Sequence, residues 1–131
     1  MGHDYLIQNL RKIKLPFEPS LLAQAAGVGA LEDTEFLERT LEMNRVGKEY
    51  LYREFTRLGV KYLPTAANFI LCPFESAEQV VKLNDLLLRR GVIIRPLQAF
   101  DLPHCMRITI GTMDECRRAI AALEEVLPLI R

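Results

Sequence analysis

Arg95 and Arg107 are the residues of this 131-residue sequence whose placement points to chemistry. Arg95 follows the apolar run Val92-Ile93-Ile94, and Arg107 sits inside Cys105-Met106-Arg107-Ile108-Thr109-Ile110. A strand alternates its side chains, so Met106, Ile108 and Ile110 share one face, and Arg107 and Thr109 the other. A guanidinium stays protonated in proteins, and burying one without a partner is expensive. Each arginine must therefore meet a carboxylate, another anion or water. One reading is structural: an exposed sheet face, or ion pairs to Asp101, Asp114 or Glu115. The other is an anion clamp, in which two guanidinium forks converge on one phosphate or carboxylate group. Strand ends beside a loop are a usual place for such groups in α/β sheets.

The remaining candidates carry less. Asn68 precedes an apolar run and suits a turn as readily as a ligand contact. His104 lies in a proline-containing loop and reads as a surface residue, while Tyr50 and Tyr52 lie on a helical segment and read as packing. Cys72, Cys105 and Cys116 have no C-x-x-C spacing and fit small, reduced core residues. No Gly-rich phosphate loop, Ser/His/Asp order or metal-ligand spacing occurs, so neither a catalytic residue nor a metal site is expected in the chain. The 17 basic and 17 acidic residues balance, which argues against a nucleic-acid groove. No apolar run approaches the roughly 20 residues of a bilayer span. The charged start MGHDYLIQNLRKIK has no signal core, so the expected compartment is cytoplasmic.

The elements that must position the arginines follow from local signals. The length suits one domain. Leu6, Leu10 and Ile13 mark a short amphipathic helix from Asp4 to Ile13, and the prolines of Leu15-Pro16-Phe17-Glu18-Pro19 break it. Ser20 caps an Ala-rich helix over residues 21–31, whose low polarity implies burial on most sides. Asp33 caps a long helix to about Leu58, with Leu37, Leu41, Leu51, Phe55 and Leu58 facing inward, Glu35/Arg39 and Glu49/Arg53 supporting the wet face, and Gly59 as the stop. Residues 60–63 and 69–72 read as short strands. Ser76 and Gln79 form a capping box for a helix to Arg90, ended by Gly91. Residues 92–94 and 105–110 read as two more strands, and Thr112 with Glu115 opens a last helix to about Val126. The sum is an α/β fold of two layers, helices on a small sheet.

Four segments carry a further signal: PFEPSLLAQAAGVGALED, EFLERTLEMNRVGKEYLYREFTRLGVKYLPTAANFILC, RRGVIIRPL and MRITIGTMDECRRAIAALEEVL. In this order and spacing they resemble the C-terminal portion of class I/II PLP-dependent aminotransferases of fold type I, most of all histidinol-phosphate aminotransferases. The resemblance runs from about Leu6 onward, with ANFIL, RGVIIRPL and RITIGT its most specific pieces. It implies an aminotransferase small domain over residues 32–131, with a mixed or antiparallel sheet, and helices in residues 1–31 that join a large domain. It implies that Arg95 and Arg107 contact the anionic end of the substrate, the phosphate of histidinol phosphate or the carboxylate of glutamate or 2-oxoglutarate, with Asn68 nearby. It also implies a homodimeric enzyme of histidine biosynthesis with PLP as cofactor. The Schiff-base lysine, the Asp facing the pyridine nitrogen and the phosphate cradle belong to the family's large domain. Lys12, Lys14, Lys48, Lys61 and Lys82 match none of those contexts, so the chain alone is expected to bind no PLP and to be inactive. A stand-alone interaction domain, with its Leu- and Ala-rich first helices exposed, is one alternative. The small domain of a related aminotransferase or of a threonine-phosphate decarboxylase is another.

Overall fold

The computed structural model describes residues 3–14 and 18–130. The break expected across residues 15–19 lies mostly outside them. The chain divides into two compact units, Met1–Leu37 and Glu38–Arg131.

The first unit holds α1 (Asp4–Ile13), α2 (Leu21–Glu32) and the start of α3 (Thr34–Leu58). Ser20 caps α2, its hydroxyl accepting from the Ala23 amide at 3.2 Å, and Asp33 caps α3 by accepting from the Phe36 amide at 2.9 Å. α2 is apolar all round yet buries none of its residues, so Leu21, Leu22, Val28 and Leu31 stand exposed. Among the described residues of the first unit nothing covers it, unlike the burial on most sides that its composition implies.

The second unit carries the rest of α3, β1 (Phe69–Pro73), α4 (Ala77–Arg89), β2 (Arg95–Leu97), β3 (Leu102–Thr109) and α5 (Met113–Val126). Its sheet has the order β1-β3-β2, and both pairings are antiparallel. One core joins Ile70, Cys72, Met106 and Ile108 from the sheet to Leu51 and Phe55 of α3, Val80, Leu83 and Leu87 of α4, and Ile120, Leu123 and Val126 of α5. This is the two-layer α/β arrangement that the pattern predicts. The inward stripe of α3 is shorter than expected: Leu51 and Phe55 are fully buried, whereas Leu37 and Leu41 are exposed. Glu49 pairs with Arg45 at 2.8 Å and not with Arg53, which meets Glu54 at 3.3 Å.

Both long helices before the arginines end in the same way. Gly59 and Gly91 adopt left-handed φ of 68° and 73°. The following amides, Val60 and Val92, donate back to Phe55 and Leu87 at 2.9 and 3.0 Å, closing Schellman turns. The strands depart from expectation at two places. Residues 60–63 form no strand, only a bridge from Leu63 to Leu71, because Pro64 has no amide with which to extend a ladder. Residues 92–94 are not a strand either, since the Val92 amide closes α4; the strand starts at Arg95. β2 tolerates Pro96 because it is an edge strand. β3 begins at Leu102, three residues earlier than its apolar run, where it pairs with Leu97 across an irregular step.

Three residues separate β3 from α5, and Thr112 caps that helix. Its hydroxyl accepts from the Glu115 amide at 3.3 Å, while the Glu115 carboxylate accepts from the Thr112 amide at 2.8 Å. The Thr112 amide and hydroxyl, both donating to the carboxylate at 2.8 Å, hold the Glu115 carboxyl below the usual carboxylate range. At the other box, Ser76 accepts from the Gln79 amide, but the Gln79 side chain accepts from Glu75. Thr112→Ala is expected to lower stability by about 1 kcal/mol in urea unfolding; an unchanged midpoint would show that the cap contributes nothing.

Candidate functional site

β2 and β3 place Arg95 and Arg107 directly opposite each other. Across β1, Leu71 stands opposite Arg107 and Phe69 opposite Thr109 on the same sheet face. The alternation holds: Met106, Ile108 and Ile110 are buried, Thr109 is exposed and Arg107 is half-buried. Like charges directly opposite each other weaken a sheet. The pair therefore has a local cost that core packing does not explain.

Nothing in the described residues quenches this charge. Among the described residues, ion pairs engage arginines such as Arg45, Arg53, Arg57, Arg89, Arg90 and Arg117, whereas no described carboxylate lies within ion-pair range of Arg95 or Arg107. Of the partners expected on the structural reading, Asp114 pairs with Arg117 at 3.0 Å and Glu115 is held by Thr112. Arg107 Nε is buried with no acceptor. Instead each guanidinium lies over an aromatic ring: Arg107 at 4.8 Å from the centre of Phe69, and Arg95 at 5.3 Å from that of Phe100. Such a pair can accept an anion and orient it, and because a guanidinium keeps its proton it moves none.

Asn68 lies further along the sheet. It is exposed, and its carbonyl accepts from the Ile110 amide at 2.9 Å, three residues past Arg107, or about 10 Å of strand. The segment leading into it is held by α3. Tyr52 Oη accepts from the Thr65 amide at 2.7 Å, Lys48 Nζ donates to the Thr65 carbonyl at 3.3 Å, and Asn44 Nδ2 donates to the Ala67 carbonyl at 3.5 Å. Asn44, Lys48 and Tyr52 recur every four residues and so share one helix face. That spacing is visible in the sequence, but its target is not.

His104 is exposed. Cys72, Cys105 and Cys116 are buried and unpaired, and burial pushes the Cys72 thiol up to about 12. These thiols are core residues and not nucleophiles. Lys12, Lys48 and Lys82 donate to Asn9, Thr65 and Leu129, and none of these bonds lies at the arginine pair. No described helix is long and apolar enough to cross a membrane.

The family model for class I and II aminotransferases matches residues 1–123. The chain belongs to the class I and II aminotransferase family. Among curated members it is 44% identical over 125 residues to the histidinol-phosphate aminotransferase of Nitratidesulfovibrio vulgaris strain DP4, covering 95% of this chain and 33% of that protein. It is 46% identical over 112 residues to that of Symbiobacterium thermophilum, covering 86% and 30%. This aminotransferase chain thus spans about a third of the length of the curated relatives it matches. Among solved structures it resembles the histidinol-phosphate aminotransferase from Sinorhizobium meliloti in complex with pyridoxal-5'-phosphate, with TM-score 0.77 and 27% identity over 95% of this chain and 34% of that one. The Thermotoga maritima aspartate aminotransferase shares the fold at TM-score 0.66 and 22% identity, over 83% and 29%. The small antiparallel sheet expected from sequence is the sheet that carries the arginine pair.

Proposed function

We propose that this chain supplies the substrate-anion clamp of a PLP-dependent aminotransferase, and specifically of histidinol-phosphate transaminase. The observation that carries the reading is the Arg95–Arg107 pair, opposed across two strands with no carboxylate to neutralise it. Two protonated forks match a phosphate dianion, and equally the carboxylates of glutamate and 2-oxoglutarate. One clamp thereby serves both halves of an amino exchange between histidinol phosphate and 2-oxoglutarate. The bound cofactor supplies the electron sink of that chemistry. The part of this chain is to anchor the substrate's anionic end and fix its orientation. The names of the relatives support histidine biosynthesis as the pathway.

On this reading residues 32–131 are the small domain, and the apolar α2 belongs against a large domain that also holds the cofactor. The intact enzyme is a cytoplasmic homodimer. Asn68, at the edge of the same sheet, lies along the substrate beyond its anionic end. The test is a titration of the isotope-labelled chain with inorganic phosphate and with 2-oxoglutarate, followed at the arginine Nε–H resonances. Arg95 and Arg107 are expected to shift together with both anions. If neither moves while surface arginines such as Arg89 respond, the clamp reading fails.

A further inference from the structure

We infer that Phe69 and Phe100 are positioning residues of the arginine pair, each ring holding one guanidinium flat while leaving its N–H edge free for an anion. The inference rests on the reading of Arg95 and Arg107 as a clamp and adds the device that keeps it poised.

An arginine has two ways to be ordered before its ligand arrives. A carboxylate orders it but consumes the donors that the ligand needs and cancels the charge. An aromatic face orders it through the plane of the guanidinium, and the N–H donors, which lie in that plane, stay available. Here the first way is absent at both arginines and the second is present at both. Arg45, Arg57 and Arg90 differ, each meeting a carboxylate at 2.8 Å or closer, and Arg53, which lies 5.2 Å from the Tyr50 ring, also meets Glu54 at 3.3 Å.

The two rings come from different elements. Phe69 stands on β1, on the same face as Arg107 and diagonal to it through the Phe69–Thr109 and Leu71–Arg107 pairings. Arg95 approaches Arg107 from the opposite side of β3. Phe100 ends a 3₁₀ turn over Gln98–Phe100, and Asp101 closes that turn in a left-handed conformation with φ of 58°. Phe100 remains largely exposed, so its ring contributes little to the core. At Arg107 the Nε is enclosed without an acceptor, and the terminal nitrogens are the donors left to an anion.

The test compares Phe69→Leu, Phe69→Tyr and Phe100→Leu with the wild-type chain, each titrated with inorganic phosphate at constant ionic strength. Leucine keeps apolar bulk and removes the π face, while tyrosine restores the face. Each leucine variant is expected to bind phosphate about fivefold more weakly, with Phe69→Tyr near wild type. Recovery of phosphate affinity in Phe69→Tyr, with Phe69→Leu weakened at unchanged urea stability, is a signature that a merely structural role for Phe69 would not produce. Unweakened binding in both leucine variants overturns the positioning role and leaves the clamp standing. Absence of a phosphate response at Arg95 and Arg107 in the wild-type chain removes the clamp and this inference with it. If Phe69→Leu does not fold, the exposed Phe100→Leu decides alone: a fivefold loss supports the inference and wild-type binding overturns it.

Discussion

Arg107→Met is expected to weaken phosphate binding about a hundredfold while making the anion-free chain more stable by about 1 kcal/mol. The two effects have one cause. Losing one partner of a charge-assisted, desolvated contact typically costs about 2–5 kcal/mol of binding, and each 1.4 kcal/mol is roughly a factor of ten. Without the anion, the same guanidinium faces Arg95 directly and encloses an Nε–H with no acceptor. Methionine removes the repulsion and the orphaned donor, keeps the apolar stem, and places a sulfur against the Phe69 ring. Phosphate should therefore raise the unfolding midpoint of the wild-type chain by mass action and leave the variant's unchanged. Urea unfolding with and without phosphate separates the outcomes. A variant destabilised by more than about 1 kcal/mol in the absence of anion would mean that Arg107 is a structural residue. The sign of the stability change thus discriminates between a residue kept for packing and one kept for a ligand.

How much of this was legible beforehand depends on how far apart the interacting residues lie in the chain. Ser20, Asp33, Ser76 and Thr112 were readable as caps because a cap satisfies amides two or three residues away. Gly59 and Gly91 were readable as stops for the same reason. The side of β3 on which Arg107 lies follows from alternation alone. Strand boundaries were less legible: residues 60–63 and 92–94 are as apolar as real strands, and what excludes them is a missing proline amide and a donor already spent on a helix end. Leu37 and Leu41 show a similar limit, since periodicity names a helix face without saying whether anything covers it. The arginine site was half visible. Each arginine was anomalous by itself, but that they face each other, and that Phe69 and Phe100 lie beneath them, depends on strand register and a turn. The family resemblance supplied what local chemistry did not, a reason for both arginines to serve one ligand.

Gly47→Leu is expected to destabilise the second unit by about 2–3 kcal/mol, although glycine is a poor helix former and the substitution raises helix propensity by roughly 1 kcal/mol. Gly47 lies buried in the middle of α3. A Cβ there would sit 2.7 Å from Ile110 Cγ2, 3.4 Å from the Gly111 carbonyl oxygen and 3.5 Å from Cys116 Sγ. These three neighbours are the two residues that follow the arginine-bearing strand and the first buried residue of α5, so α3 touches the site's supporting frame at one point without a side chain. Ile110 is β-branched and buried, with little freedom to rotate its methyl away. A leucine must therefore push the strand end or α3 itself, and a close-packed core resists both. Gly47→Ala separates the terms: its propensity gain and its single close contact nearly cancel, so its midpoint should lie within about 1 kcal/mol of wild type. Ile110→Ala removes the methyl that the new side chain meets, so the double variant should recover about 1 kcal/mol relative to the sum of the single changes. If Gly47→Leu is as stable as Gly47→Ala in urea, or the double variant is strictly additive, close approach to Ile110 is not what keeps a glycine in this helix.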